Sequence, residues 1–465
     1  MSLIARLTCL FVMSCLGQAY AQPVDSELAE RGRQLAVAAD CAACHTADRT
    51  KPMAGGVPIP TPLGTLFAPN ITPDPDTGIG NWTDEDFYRA MHKGVGKHGE
   101  NLYPAFPYEA FTKLSRNDVL AIKAYLFSLP AIRQTNLPSE LRFPFNQRWI
   151  LSGWKLFNFH EGEFRPDPDK DPSLNRGAYL VEALAHCQMC HTPRTVTMGS
   201  NASRAFAGGE VGPWAAYNIT SDPVSGVGNW SAEQLETYLH TGHVLDKADA
   251  AGPMGDAVQH SFSALPAQDI HDIVTYLRSL QPAHDADDRK PRYAWGGAKE
   301  DVTAFRGSED LDRPDGRTLF YGACASCHGI DGSGSRDHVF PAIFHNTATG
   351  ASSISNLVMV ILNGVNRTVG TQLTYMPGFA HLLSNEEVAS IANYVASTYG
   401  NPGAAIANAA TIDALRAARG RTPLIAELLW PGIALATIVI ACALVWLFHV
   451  RRRRTTEGQN HDQRS

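Results

Sequence analysis

Cys41-Ala42-Ala43-Cys44-His45, Cys187-Gln188-Met189-Cys190-His191 and Cys324-Ala325-Ser326-Cys327-His328 are three copies of one five-residue pattern in a single chain. Two thiols three residues apart lie on one side of a helical turn, and the adjacent imidazole projects beside them. That is the attachment signal for a c-type haem, in which the thiols bond the vinyl edge and the histidine is the proximal iron ligand. One such pattern has rivals in a redox Cys-x-x-Cys pair or half a zinc site. Three copies in matching surroundings favour haem, so Cys41, Cys44, Cys187, Cys190, Cys324 and Cys327 are the expected covalent anchors of three haems c. His45, His191 and His328 are the expected iron ligands.

Outward from these motifs the chain repeats itself. Each motif follows an apolar-periodic stretch opening on Arg31-Gly32, Arg176-Gly177 or Asp315-Gly316. After the first two motifs come the loops Asn70–Trp82 and Asn218–Trp230, identical at nine of thirteen positions, which points to duplication. Thr83 and Ser231 then cap helices expected to end at Gly94 and Gly242, and the third unit has a counterpart over Leu357–Leu362 ending at Gly364. Closing helices are expected over Asn117–Ser128, Ala267–Ser279 and Asn385–Tyr399, with Ser115 and Ser384 as caps for the first and third. The predicted fold class is all-α: three tandem cytochrome c-like haem domains plus a C-terminal transmembrane helix.

A sixth iron ligand is expected from a far-side loop, most often a methionine thioether. Twelve residues past the helix-ending glycine stand Met254 in the second unit and Met376 in the third, both in Pro/Gly surroundings, and these are the expected axial ligands. In the first unit the same count reaches Phe106, which cannot bind iron. Met53 aligns with Phe206 and Met91 with Leu239, so both read as packing residues, while His92 and His98 remain candidates. The Asn-x-Thr/Ser tripeptides of the duplicated loops read as turn structure rather than glycosylation acceptors.

Arg6, the apolar run Leu7–Leu16 and Ala19-Tyr20-Ala21 predict a cleaved secretory leader. Leu428–Val450, 23 residues without Asp, Glu, Lys or Arg and followed by Arg451–Arg454, predicts a membrane-spanning helix with the haem domains on the periplasmic face of the inner membrane. Cys9 and Cys15 fall in the leader and Cys442 in the span, leaving no cysteine for a structural disulfide. The expected organisation is leader 1–21, domain 22–132, linker 133–172, domain 173–281, linker 282–312, domain 313–400, spacer 401–427, span 428–450 and tail 451–465. Aromatic residues crowd the first linker, which is expected to pack between domains. The formal charge of −7 argues against nucleic acid as a partner.

Together the three motifs, the paired loops, Tyr103-Pro104-Ala105-Phe106-Pro107-Tyr108, Gly252-Pro253-Met254 and Met376-Pro377 resemble the triheme cytochrome c subunit of membrane-bound dehydrogenases, of the gluconate 2-dehydrogenase and quinone-linked alcohol dehydrogenase type. The resemblance covers nearly all of the chain from the leader's end to Tyr399. It implies an electron-transfer subunit that takes electrons from a flavin, quinoprotein or molybdenum dehydrogenase subunit acting on an alcohol, aldehyde or sugar acid. It passes them to ubiquinone or a terminal oxidase and does not itself transform substrate. Members of that family often carry methionine where Phe106 stands. The competing readings are a cytochrome subunit of a respiratory oxidase and a haem enzyme or gas binder using an open first haem.

Overall fold

The computed structural model describes residues 26–299, 315–417 and 437–447. The leader, the tail, and parts of the second linker, spacer and span lie outside the described residues.

The first unit consists of α1 (Ser26–Ala38), α2 (Cys41–His45), the hairpin β1 (Pro58–Thr61) and β2 (Gly64–Phe67), then α3 (Asp84–Lys93), α4 (Tyr108–Phe111) and α5 (Arg116–Ser128). The connecting segment carries β3 (Glu140–Leu141), paired antiparallel with β2, and α6 (Ile150–Asn158). In the second unit α7 (Pro172–Tyr179) continues through a wider π turn, Leu180–Leu184, to α8 (Gln188–His191) and the hairpin β4 (Gly209–Val211) with β5 (Trp214–Ala216). Then come α9 (Ala232–Thr241), the hairpin β6 (His243–Val244) with β7 (Ala248–Asp249), α10 (Gly252–His260) and α11 (Ala267–Ser279). The third unit has α12 (Gly316–Ala323), α13 (Ala325–His328), α14 (Ser355–Asn363), the hairpin β8 (Val365–Val369) with β9 (Gln372–Met376), α15 (Asn385–Tyr399) and α16 (Ala409–Arg416).

The helix boundaries follow from local chemistry. Thr83, Ser231 and Ser384 each accept a hydrogen bond from the backbone N–H three residues on, and Asp86, Gln234 and Glu387 return one to the cap, forming three capping boxes. Gly94 (φ 60°) and Gly242 (φ 73°) end α3 and α9 in the left-handed region. The duplicated loops are held by buried Asn70 and Asn218, whose Oδ1 atoms accept from the N–H and hydroxyl of Thr72 and Thr220. The tripeptides there are turn structure.

Each unit closes where its first helix crosses its last. A Cβ on Gly32 would stand 1.8 Å from Ala121 O of α5, one on Gly177 2.0 Å from Asp272 O of α11, and one on Gly316 2.0 Å from Ser390 O of α15. Only hydrogen at the Cα allows that approach. One apolar core runs through the first two units, with Leu35, Ile122, Leu180, Leu184 and Ile273 buried in it. Phe320, Val358, Ile391, Tyr399 and Ile412 form a second. Ile412 belongs to α16, so the stretch read as spacer contributes to the third core.

Two expectations are corrected here. The fold is not all-α: among the described residues helix accounts for 43% and strand for 9%, the strands being short hairpins in stretches read as loops. Runs of two to five residues are too short to show alternation in a sequence. The C-terminal transmembrane helix is also overturned, and with it the placement in the inner membrane by a single span. Among the described residues no helix is long and apolar enough to cross a membrane.

The aromatic linker divides. Trp154 Nε1 donates to Thr197 O at 2.8 Å in the second unit, and Phe159 stacks edge-on against Tyr108 of the first. Phe143, Trp149 and Phe157 are exposed, so packing between units accounts for only part of it.

If the glycine crossings hold the units shut, Gly316→Ala should lower stability by about 1–3 kcal/mol. Denaturant unfolding of the variant checks this, and an unchanged midpoint would show that α12 and α15 separate without cost.

Candidate functional site

The three motifs fold alike. Cys41–His45 forms α2, Cys187 precedes α8, and Cys324 precedes α13, so each motif makes one helical turn. None of the six motif cysteines is in a disulfide. Burial pushes the Cys41 and Cys187 thiols up to about 12 and those of Cys44 and Cys324 up to about 11, which keeps them protonated until they are modified.

The histidines are oriented by groups that the motifs do not contain. Nδ1 of His45 donates to Pro69 O at 2.7 Å, that of His191 to Tyr217 O at 2.5 Å, and that of His328 to Pro341 O at 3.0 Å. A carbonyl only accepts, so the proton sits on Nδ1 and leaves the Nε2 lone pair for a metal. Burial holds all three imidazoles below the usual histidine value, the form that binds iron. These carbonyls went unnoticed in the sequence, although Pro69 and Tyr217 immediately precede the duplicated Asn-Ile-Thr loops. Paired free thiols beside a neutral imidazole with a fixed tautomer suit a covalently attached haem.

For the expected methionine ligands, backbone register tests the residue count. Leu102 N donates to Gly94 O at 2.8 Å, and Ala250 N to Gly242 O at 2.7 Å, so the segments after α3 and α9 keep one register as far as Leu102 and Ala250. Four residues further on, Phe106 lies in a turn before α4, its N–H donating to Tyr103 O, whereas Met254 is helical. Met254 lies in the first turn of α10, next to Pro253, and not in an open loop. Met376 arrives differently. It pairs with Val365 at the end of a longer hairpin, directly after Gly364, so an equal count does not mean an equal position.

The other candidates of the first unit have different surroundings. Met53 (φ 62°) and Phe206 (φ 62°) are matched: each is buried, and each N–H donates to a threonine hydroxyl, Thr46 or Thr192. Met91 is buried on α3. His92 stacks on Tyr88 at 4.9 Å, with Nδ1 3.3 Å from Glu161 of the linker. His98 is exposed on a turn, its N–H donating to Glu100. Phe106 itself packs edge-on against Phe111, with centroids 5.6 Å apart.

The motifs are neighbours as well as copies. Cys190 bears on the surroundings of Cys44, Asp40 bears on those of Cys190, and both α2 and Asp40 lie against α10 of the second unit. The third unit meets the second at the β6–β7 hairpin and at β5: Thr347 N donates to Lys247 O at 2.8 Å, and Asn356 clasps both backbone groups of Ala215.

The sequence profile of the Cytochrome c family matches residues 29–130 and 314–399. The chain is 38% identical to the fructose dehydrogenase cytochrome subunit of Gluconobacter japonicus, over 91% of this chain and 91% of that one. It is 34% identical to the gluconate 2-dehydrogenase cytochrome c subunit of Pantoea cypripedii, over 84% and 89%. It is 33% identical to the cytochrome c subunit of the quinone alcohol dehydrogenase of Gluconacetobacter polyoxogenes, over 86% and 87%.

The β6–β7 hairpin carries a pH-dependent contact. Asp249 Oδ1 lies 2.6 Å from His243 Nδ1 and raises the histidine's pKa against the opposing effects of burial and Arg367. A folded value above the unfolded one, about 6.5, gives stability that is complete below that pH and fades as pH rises through the folded value. The stability advantage of the parent over Asp249→Asn should therefore shrink from about pH 6 to pH 8. Unfolding midpoints across that window check it, and an advantage independent of pH would exclude the pair as its source.

Proposed function

The chain belongs to the family of cytochrome c subunits of dehydrogenase complexes, and from that membership we propose that it carries three haems c and relays electrons for a separate dehydrogenase subunit. The observation behind the count is the recurrence, three times, of a Cys-x-x-Cys-His turn whose histidine Nδ1 is clasped by a loop carbonyl. The units are drawn at 22–132, 173–281 and 313–400, and their closing helices end at Ser128, Ser279 and Tyr399.

Bound haem supplies a one-electron iron couple. The protein's part is to orient and tune it. Cys41 and Cys44, Cys187 and Cys190, and Cys324 and Cys327 hold the haems. His45, His191 and His328 present Nε2 in a fixed tautomer, and Met254 and Met376 offer thioethers to the second and third irons. The apolar cores keep water away, which limits reorganisation around the metal. Proximity of Cys44 to Cys190 supports direct transfer between the first two haems. The donor is a flavin, quinoprotein or molybdenum dehydrogenase subunit, and the acceptor ubiquinone or a terminal oxidase.

Phe106 favours a second property at the first haem. By residue count from the helix-ending glycine it corresponds to Met254 but has no donor atom, so a haem held by Cys41 and Cys44 would lack a thioether from this position, and its potential would differ from those of the others.

Two measurements test these readings. Cys324→Ser with Cys327→Ser should leave two covalent haems by intact mass, and an unchanged haem mass would remove the third motif from the account. Phe106→Met should convert the first haem to methionine-ligated low-spin iron and abolish carbon monoxide binding. Three methionine-ligated haems in the parent would assign the first ligand to Met53 or Met91 instead.

A further inference from the structure

Arg367, on β8 of the third unit, is buried to 2% exposure, and its environment is made largely by the second unit. Nη1 donates to the carbonyl of Ala250. A Cβ on Gly242 would stand 2.7 Å from Arg367 Cζ and Nε. Nη2 has only a long contact, 3.4 Å, with Thr374 Oγ1 on its own hairpin. The buried Nε has no acceptor among the described residues. A guanidinium stays protonated in a protein, so this is a buried positive charge in search of an anion.

No carboxylate among the described residues forms an ion pair with it. Asp249 acts on Arg367 through space, but its oxygens are taken by His243 Nδ1 at 2.6 Å and by Asn346 Nδ2 at 3.3 Å. Tyr238, the other titratable neighbour, is held neutral by burial. A buried water could accept from Nε but would leave the charge uncompensated.

The place of this charge identifies its partner. Gly242 ends α9 and Ala250 precedes α10, so Arg367 lies between the two elements that frame Met254. β8 runs along α10, where Gln259 Oε1 accepts from Thr368 N at 2.7 Å. A haem carries two carboxylates on the edge away from its thioether bonds, and a guanidinium fork matches a carboxylate. We propose that Arg367 of the third unit is the positioning partner of a haem propionate in the second unit, so that the third unit completes the second unit's haem site. This rests on the three-haem reading above.

The test uses the full chain as parent, R367Q and R367K, with M254H marking which potential belongs to the second haem. Intact mass first counts the haems, and spectroelectrochemical titration then gives the potentials. Removing a positive charge favours ferric iron. R367Q should shift the second haem's reduction equilibrium by about tenfold toward the oxidised form, ~59 mV for one electron. The freed carboxylate should also add a pH dependence to that potential near neutrality, and R367K should restore most of the parent value. Unchanged potentials in R367Q, or a shift confined to another haem, overturn the proposal. Absence of haem from the second motif of the parent overturns the three-haem reading and the proposal together. If R367Q does not mature, the propionate bending band in resonance Raman spectra of R367K decides: it should move from its parent position, and an unmoved band overturns the assignment.

Discussion

The crossing of first helix over last helix at a glycine is the contact on which the rest of each unit hangs. At Gly32, Gly177 and Gly316 the backbones meet so closely that a methyl group would fall inside a carbonyl oxygen. That contact sets where α1, α7 and α12 end, and therefore where the motif turns begin. The turn in turn sets the direction of the histidine, whose Nδ1 must find a carbonyl from the loop that follows. Phe320, stacked with Tyr394 and Tyr399 of α15 at 5.6 and 5.4 Å, shows the same crossing being filled by aromatic rings in the third unit.

The three units are not joined equally. The first two share one apolar core, and Phe111 of one meets His186 of the other at 5.6 Å, just before the second motif. Apolar burial of that extent is continuous and favours a fixed spacing between the two motifs. The third unit keeps its own core, and besides the apolar contacts of Trp214 and Val369 it meets the second through polar groups: Asn356 on Ala215, Thr347 on Lys247 and Arg367 on Ala250. Directional contacts of this kind fix register.

The first unit shows how a duplicated scaffold tolerates a change of side chain. Its backbone matches the second unit through the Gly94–Leu102 and Gly242–Ala250 hydrogen bonds, and four residues after each matched contact stands Phe106 in one unit and Met254 in the other. Apolar packing accepts either side chain, since the phenyl ring joins Phe111 and Tyr108. Only the iron would register the difference.

What the amino-acid sequence determined by itself is what depends on residues a few positions apart. The Cys-x-x-Cys-His turns, the boxes at Thr83, Ser231 and Ser384, and the left-handed glycines at 94 and 242 all lie within one or two helical turns of the residues that specify them. The tertiary structure decided the carbonyl clasps on the histidines, the fusion of two cores into one, the short hairpins, and the burial of Arg367 against a glycine 125 positions earlier. It also separated Met376 from Met254 despite their equal count, because a longer hairpin used up the intervening residues. Apolar runs illustrate the limit from the other side: Leu428–Val450 has the composition of a span, yet among the described residues no helix is long and apolar enough to cross a membrane. Local hydrogen bonding is written in neighbouring residues, whereas contacts between distant segments exist only once the chain has closed on itself.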